Sequence, residues 1–341
     1  MADRSKEWPQ RDIGLRDVAS LAGVSHITVS RTLRSPSRVS GQTRERVEAA
    51  IETLGYVPNM IAGTLNTRRS RMIAVIVPNV SNSVFAETLH ALNARVRAES
   101  YQLIIGYSGY SLSEEEALVA AFLMRRPEAF VLTGYTHTPR TRTMLQAAGI
   151  PIVEMWNIGP DPIGTMVGFS NFAAARAMTR HIGGKGYSRI GFIGGLTIDN
   201  DRTSNREDGF RAGLADMGHN YDERAMVRVP FEFASGAQAL HELIGRAPGI
   251  DAVFVAGDIL AIGVLLECLK LGWAVPQRIG IAGFDDTPLA AIMIPALTTT
   301  RVPQTEIGHR VAEEVLTRIT GEPITVATID LGFQIIERDS L

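Results

Sequence analysis

The chain has 341 residues, 45% hydrophobic and 21% charged, with a formal net charge of −2 at neutral pH. That length holds two or three domains with sizeable buried cores, and the apolar content excludes a disordered chain. No run of about 18 apolar residues occurs and the N-terminus lacks an apolar leader, so the expectation is a cytoplasmic protein with no membrane partner.

Charge is unevenly spread. Residues 1–71 carry 12 Lys+Arg against 7 Asp+Glu, a local +5, which leaves −7 on the remainder. A basic module on an acidic body points to nucleic acid as the partner of the first part. Residues 1–12 are charged and aperiodic and read as a flexible tail.

Two short helices follow in Leu15–Leu33. Val18, Ala19, Leu21 and Ala22 share the apolar side of the first, and Gly23 ends it because glycine takes a left-handed conformation without steric cost. Ser25 N-caps the second helix, and Val29 with Leu33 gives it a buried side. Its outward residues are His26, Ile27, Thr28, Ser30 and Arg31, a short polar surface suited to a major groove. Such a pair is a helix-turn-helix. A third helix is capped by Ser40, buries Val47, Ile51 and Leu54, and ends at Gly55, so residues 13–57 form a compact headpiece. Residues 58–70 form a hinge: Pro58 breaks the chain, and the helix of Asn59 to Leu65 is too short to be stable without DNA or a partner chain.

From Met72 the pattern changes. Apolar runs at Met72–Val77, Gln102–Gly106, Ala129–Thr133, Pro151–Glu154, Arg189–Ile193, Ala252–Val255 and Ile279–Gly283 alternate with helical stretches. These include Ser83–Glu99, Ala173–Gly183, Arg206–Met217 and Asp258–Leu271. The alternation predicts two doubly wound parallel-sheet lobes within residues 71–341, with ligands at the carboxyl ends of strands. Cys268, the only cysteine, reads as a small buried hydrophobe on its helix. The seven histidines lack metal-ligand spacing, and no G-x-S-x-G, Walker-type or G-x-G-x-x-G motif occurs, so no enzyme, cofactor or metal is predicted.

This order of headpiece, hinge and two-lobed α/β body resembles the LacI/GalR family of bacterial repressors, whose body is periplasmic-binding-protein-like. The resemblance rests on Leu15–Leu33, Val39-Ser-Gly-Gln-Thr-Arg, Leu54-Gly-Tyr-Val-Pro-Asn-Met-Ile-Ala, Gly257-Asp258, Ala282-Gly-Phe-Asp-Asp-Thr and Leu297-Thr-Thr. Within the family, Val84-Phe-Ala-Glu, Gly106-Tyr-Ser-Gly-Tyr, Thr136-His-Thr-Pro-Arg-Thr and Val167-Gly-Phe-Ser-Asn-Phe resemble the gluconate-utilisation repressors. The resemblance implies a homodimer on double-stranded operator DNA, released by a sugar-acid inducer such as gluconate. It also implies lobes of about 71–168 with 302–328 and 169–301 with 329–341. A 2-ketogluconate regulator, a corepressor-type response and, for the body alone, a sugar-binding protein stand as alternatives.

The resemblance further implies base contacts by His26, Ile27 and Arg31, phosphate contacts by Ser25, Thr28, Ser30 and Asn59, and hinge contacts by Ala62 and Leu65. For the effector it implies Arg206, as the start of its helix and a bidentate partner for a carboxylate; a surface salt bridge with Glu207 or Asp208 is the alternative. Asp258 and Asp285 would accept hydroxyls, with Asp258 equally readable as a helix N-cap. Phe85 and Phe231 would supply apolar walls or pack in the core. Arg202 and the Thr136–His137 pair are further candidates, His137 also reading as a plain loop residue. Ring-sugar binders of the family often place asparagine at Gly257 and aspartate at Trp156; their absence fits an open-chain acid.

An apolar side chain on a short exposed helix has no core to enter, and the resemblance implies that Leu65 inserts between base pairs at the operator centre, with a contact between hinge and body as the alternative. Leu65→Ala is therefore expected to leave the fold intact and to weaken specific operator binding severalfold or more in a gel-shift titration; unchanged affinity would remove Leu65 from the interface.

Overall fold

The computed structural model describes residues 13–57, 69–79, 83–321 and 327–341. Contacts divide the chain into two units, Met1–Ser70 and Arg71–Leu341.

In the first unit α1 (Leu15–Ala22) stops at Gly23, whose φ of 63° is left-handed. Its amide end is closed by Asp17, which accepts the Gly14 N–H at 2.8 Å. Ser25 accepts the Thr28 N–H at 3.1 Å and so starts α2 (His26–Arg34). Ser40 does the same for α3 (Gly41–Leu54), which ends at Gly55 with φ 61°. Val18, Ala19, Ala22, Val29, Val47, Ala50 and Tyr56 form the buried core. Two expectations fail here. Leu21 is 54% exposed and Leu33 36% exposed. Leu21 lies about 100° around α1 from Ala22, off the face where residues 18, 19 and 22 line up. On α2 the inward position is Thr32, whose hydroxyl donates to the Thr28 carbonyl at 2.9 Å.

The second unit holds two sheets. The first lobe runs β1 (Met72–Val77), α4 (Ser83–Ala98), β2 (Gln102–Tyr107), α5 (Leu112–Leu123), β3 (Ala129–Thr133), α6 (Pro139–Ala148), β4 (Ile152–Met155) and β5 (Thr165–Gly168). The second runs α7 (Asn171–Gly184), β6 (Ile190–Gly194), α8 (Asp201–Asp216), β7 (Met226–Arg228), α9 (Phe233–Arg246) and β8 (Ala252–Val255). It continues with α10 (Asp258–Lys270), β9 (Gly280–Asp285), α11 (Pro288–Ile292) and β10 (Thr298–Arg301). α12 (Gln304–Ile319) returns to the first lobe, where β11 (Thr328–Asp330) joins β5, and β12 (Gln334–Ile336) closes the second sheet against β10.

Strand order is β11-β5-β4-β3-β1-β2 in one sheet and β12-β10-β9-β8-β6-β7 in the other. All pairings are parallel except β10 with β12. Strands such as Ala129–Thr133 and Ala252–Val255 are buried throughout because helices cover both faces. Each sheet reverses its winding at one place, between β1 and β3 and between β6 and β8, and the crevice at the carboxyl ends there is where such folds hold ligands.

Two boundaries differ from expectation. α8 begins at Asp201, capped by the Asn200 side chain, so Arg206 sits in its second turn. The last crossing between lobes falls after Asp330, because β11 still pairs with β5.

α8 packs closely against α7 because it carries glycines where they touch. A Cβ at Gly209 would lie 2.3 Å from the Phe172 carbonyl oxygen, backbone that cannot step aside. At Gly245 of α9 nothing lies within 4 Å. Gly209→Ala is expected to lower the unfolding free energy by about 1–3 kcal/mol in denaturant titrations. Gly245→Ala should be neutral or stabilising by up to about 1 kcal/mol, from helix propensity alone.

Candidate functional site

On α2, His26, Ile27 and Arg31 are exposed and Thr28 and Ser30 half-buried, so the predicted readers share an accessible helix surface. Ser25 is committed to capping, its hydroxyl 2.9 Å from that of Thr28. The first-turn amides of α2 that cap residues leave free carry the positive end of the helix dipole, a ready partner for phosphate. Asn59, Ala62 and Leu65 lie outside the described residues.

In the body, a cleft opens at the two winding reversals. Val84, Phe85, Tyr110 and Trp156 line it from the first lobe. Asn200, Arg202, Thr203, Arg206, Phe231 and Asp285 line it from the second, around about 340 Å³ of space. A wider, more apolar outer compartment shares Tyr110, Asn200 and Phe231 and is edged by Tyr107, Leu196 and Ile198. Three of the lining residues, Tyr110 (φ 62°), Trp156 (φ 74°) and Asp285 (φ 115°), hold backbone conformations that non-glycine residues rarely adopt. The strain turns their side chains off the strand ends into the cleft.

Arg206 is 6% exposed and does not pair with Glu207 or Asp208. Its Nε donates to Asn171 Oδ1 at 2.8 Å, Nη1 to the Ala256 carbonyl at 2.9 Å, and Nη2 stands 3.6 Å from Asp285 Oδ1. The guanidinium lies 3.8 Å above the Phe284 ring. Glu207 instead pairs with Arg228 and Arg211. Arg202 commits only Nη1, to the Thr133 carbonyl at 3.1 Å and to Asp201 at 3.2 Å. Two buried polar atoms in the cleft wall make no hydrogen bond: the Trp156 indole nitrogen and Asp285 Oδ1. The Trp156 ring is held by Phe85 at 5.0 Å and Phe169 at 6.3 Å.

Thus Phe85, Arg206, Phe231 and Asp285 meet in the cleft, whereas Asp258 and His137 do not line it. Gly257, not Asp258, caps α10. The Asp258 carboxylate accepts the Thr287 N–H at 2.7 Å, the Thr287 hydroxyl at 3.1 Å and the Thr299 hydroxyl at 2.7 Å, tying α10 to β10 and to the turn before α11. His137 lies inside the first lobe with its side chain fully buried, between Glu115 and Glu154. Tyr110, Trp156, Asn200 and Thr203 were not legible as site residues; only the polar run Asn200-Asp-Arg-Thr-Ser ahead of a helix hinted at one. Among the described residues no group of three metal-type ligands occurs, and no helix is long and apolar enough to cross a membrane.

Burial dominates the cleft's electrostatics. It pushes the Asp285 carboxyl up to about 6, with Arg206 opposing. It pushes Asp258 up to about 7, reinforced by the Asp285 charge. Burial also raises Tyr110 and lowers Arg206 from their ordinary values.

Residues 14–59 match the family described as bacterial regulatory proteins, lacI family, and residues 179–341 the periplasmic binding protein-like domain. The HTH-type transcriptional regulator GntR of Pseudomonas aeruginosa is 37% identical over 96% of this chain and 95% of its own. A LacI-family transcriptional regulator from Silicibacter pomeroyi superposes with TM-score 0.88 at 36% identity, covering 96% of this chain and 99% of the other. The transcription regulator GntR from Chromobacterium violaceum superposes with TM-score 0.75 at 36% identity, over 79% of this chain and 98% of that one.

The raised acids give the body a measurable signature. Asp258 binds its proton more tightly folded, at about 7, than at the ordinary 3.8, so its contribution is full below about pH 4 and is lost as pH rises through 7. Wild type minus Asp258→Asn, measured as unfolding free energy in denaturant, is expected to fall steadily from pH 4 to 7.5; a flat difference would contradict this burial effect.

Proposed function

We propose, for a chain that belongs to the lacI family of bacterial transcriptional regulators, that a sugar acid, gluconate in the first instance, binds the cleft and releases the protein from operator DNA. Residues 13–57 would read the operator, with His26, Ile27 and Arg31 at base edges. Ser25, Thr28, Ser30 and Asn59 would contact phosphate, Ala62 and Leu65 would serve the hinge, and residues 71–341 would sense the effector. A cytoplasmic location accords with operator binding.

The observation that carries the effector reading is the convergence of unsatisfied groups on one small pocket. The Trp156 N–H is a donor, Asp285 Oδ1 an acceptor, and Arg202 has nitrogens left over, all between the Phe85 and Phe231 rings. A buried polar group without a partner costs about 1–3 kcal/mol, so a ligand that pairs these atoms recovers it. A carboxylate suits the guanidiniums, with charge-assisted bonds, and hydroxyls suit Asp285 and the indole. Trp156 fills space where a ring-sugar binder has a short acid, which favours a slim open chain. The GntR relatives and the gluconate-type sequence strings point the same way.

A two-fold operator requires a two-fold protein. The second lobe exposes apolar side chains on and after α10 (Leu266, Leu269 at 70%, Leu271) and on and after α11 (Ile292 at 73%, Ile294 at 89%). A second copy of the chain is the partner proposed for them.

Gluconate titrated into the protein–operator complex is expected to dissociate it, and tightening would instead identify a corepressor. Trp156→Phe removes the indole N–H together with one ring of a fully buried side chain. It should weaken gluconate binding by about 1 kcal/mol, roughly five- to tenfold, in calorimetry. Wild-type affinity in that variant would overturn the cleft as the gluconate site.

A further inference from the structure

We propose that His137, buried away from the cleft, is a positioning residue for it: its positive charge anchors the loop whose backbone amides hold Asp201 and thereby set Arg202. The inference rests on the cleft being the effector site.

The loop Gly134–Thr138 follows β3 at the winding reversal of the first lobe. On its outer side two consecutive amides, Tyr135 N–H and Thr136 N–H, donate to Asp201 Oδ2 at 2.5 and 3.0 Å. Asp201 is the first residue of α8, so this grip crosses from one lobe to the other. Asp201 Oδ1 also receives Asn157 at 3.3 Å and Arg202 at 3.2 Å, and the Arg202 guanidinium bonds the Thr133 carbonyl at the loop's start. A displaced loop therefore moves a cleft arginine directly.

On its inner side the loop is tied by His137, and at its end Thr138 donates to Glu116 at 2.6 Å. His137 Nδ1 is 2.6 Å from Glu115 Oε1 of α5, and Nε2 is 3.4 Å from Glu154 Oε1 of β4. Both carboxylates are buried. Glu154 Oε2 takes the Ile163 and Gly164 amides at 2.8 and 3.1 Å, but its Oε1 has no hydrogen bond. An imidazole placed between two buried acid side chains is favoured in its charged form. Glu115 and Glu154 outweigh its burial and hold it protonated up to about pH 9. The remaining charges around the loop are already engaged. Glu116 of α5 bonds Thr138 and Arg140 of α6, Arg142 bonds Asp161, and Asp201 with Arg202 lies on the outer side. A neutral amide at 137 could accept or donate one bond but could not balance either acid.

The test uses the full chain, with gluconate as probe and hydrogen–deuterium exchange of the 133–138 peptide as a readout that needs no ligand. His137→Gln is expected to raise exchange in that peptide at pH 7 and to weaken gluconate binding about tenfold. Wild-type affinity should fall between pH 8 and 10 while the variant's stays flat, and Glu115→Gln should move the wild-type midpoint to lower pH. Exchange, affinity and pH profile all unchanged in His137→Gln would overturn the positioning role. So would raised exchange with wild-type affinity, provided Trp156→Phe does lose affinity. If Trp156→Phe binds gluconate as the wild type does, the cleft reading fails instead.

Discussion

The body is organised around one buried guanidinium. Arg206 cannot reach water, so each of its N–H groups must find a partner inside, and the partners come from several elements. Asn171, the first residue of α7, accepts one and passes its own amide to the Trp156 carbonyl and to Asn157. Asn157 in turn reaches Asp201 and Asn205 of α8. The chain of bonds therefore leaves the second lobe, enters the first and returns. Phe284 below and Asp285 beside the guanidinium complete its shell. Taking away one member would strand buried polar atoms on both sides of the cleft, which makes this network far more demanding than a surface ion pair.

That demand explains why the cleft wall is strained. Tyr110, Trp156 and Asp285 depart from ordinary backbone geometry at or just beyond the carboxyl ends of β2, β4 and β9. A relaxed strand would carry these side chains along its pleat; the left-handed residue swings them across the strand ends. Surrounding packing over-determines the strained positions, Trp156 between two phenyl rings and Asp285 with its carbonyl taken by Gln304 at 2.8 Å. At these strained positions the Trp156 indole nitrogen and Asp285 Oδ1 stay without a hydrogen bond.

Much of the fold was legible because it follows from periodicity. Ala129–Thr133 and Ala252–Val255 are strands with the expected bounds, and Gly23, Ser25, Ser40 and Gly55 cap the helices they were expected to cap. Short strands such as Met226–Arg228 and Gln334–Ile336 carry too few residues to show a period. The site was legible only in part. Arg206, Phe85, Phe231 and Asp285 line the cleft, yet Asp258 turns inward to two threonines 29 and 41 residues away, a partnership no local pattern reveals. Trp156 stood out only as the place where ring-sugar binders have an aspartate, and Tyr110 only within Gly106-Tyr-Ser-Gly-Tyr; that both reach the cleft depends on a positive φ, which sequence rules assign to glycine or asparagine. His137 drew attention for its neighbours in sequence, while its function depends on Glu115 and Glu154, one from each side of it in the chain.

The same network bears on how a ligand could act at a distance. α8 is bonded to the first lobe through Asp201, Arg202 and Asn205, so the lobes hold one another. A ligand gains leverage only through bonds it makes better in one lobe arrangement than in another. Arg202 and Trp156 line the cleft from opposite lobes, so the pairing of both to one molecule would change if the lobes turned. A few kcal/mol of that difference shifts the population of arrangements by orders of magnitude. Since linkage is reciprocal, operator binding must change effector affinity by the same factor that the effector changes operator affinity.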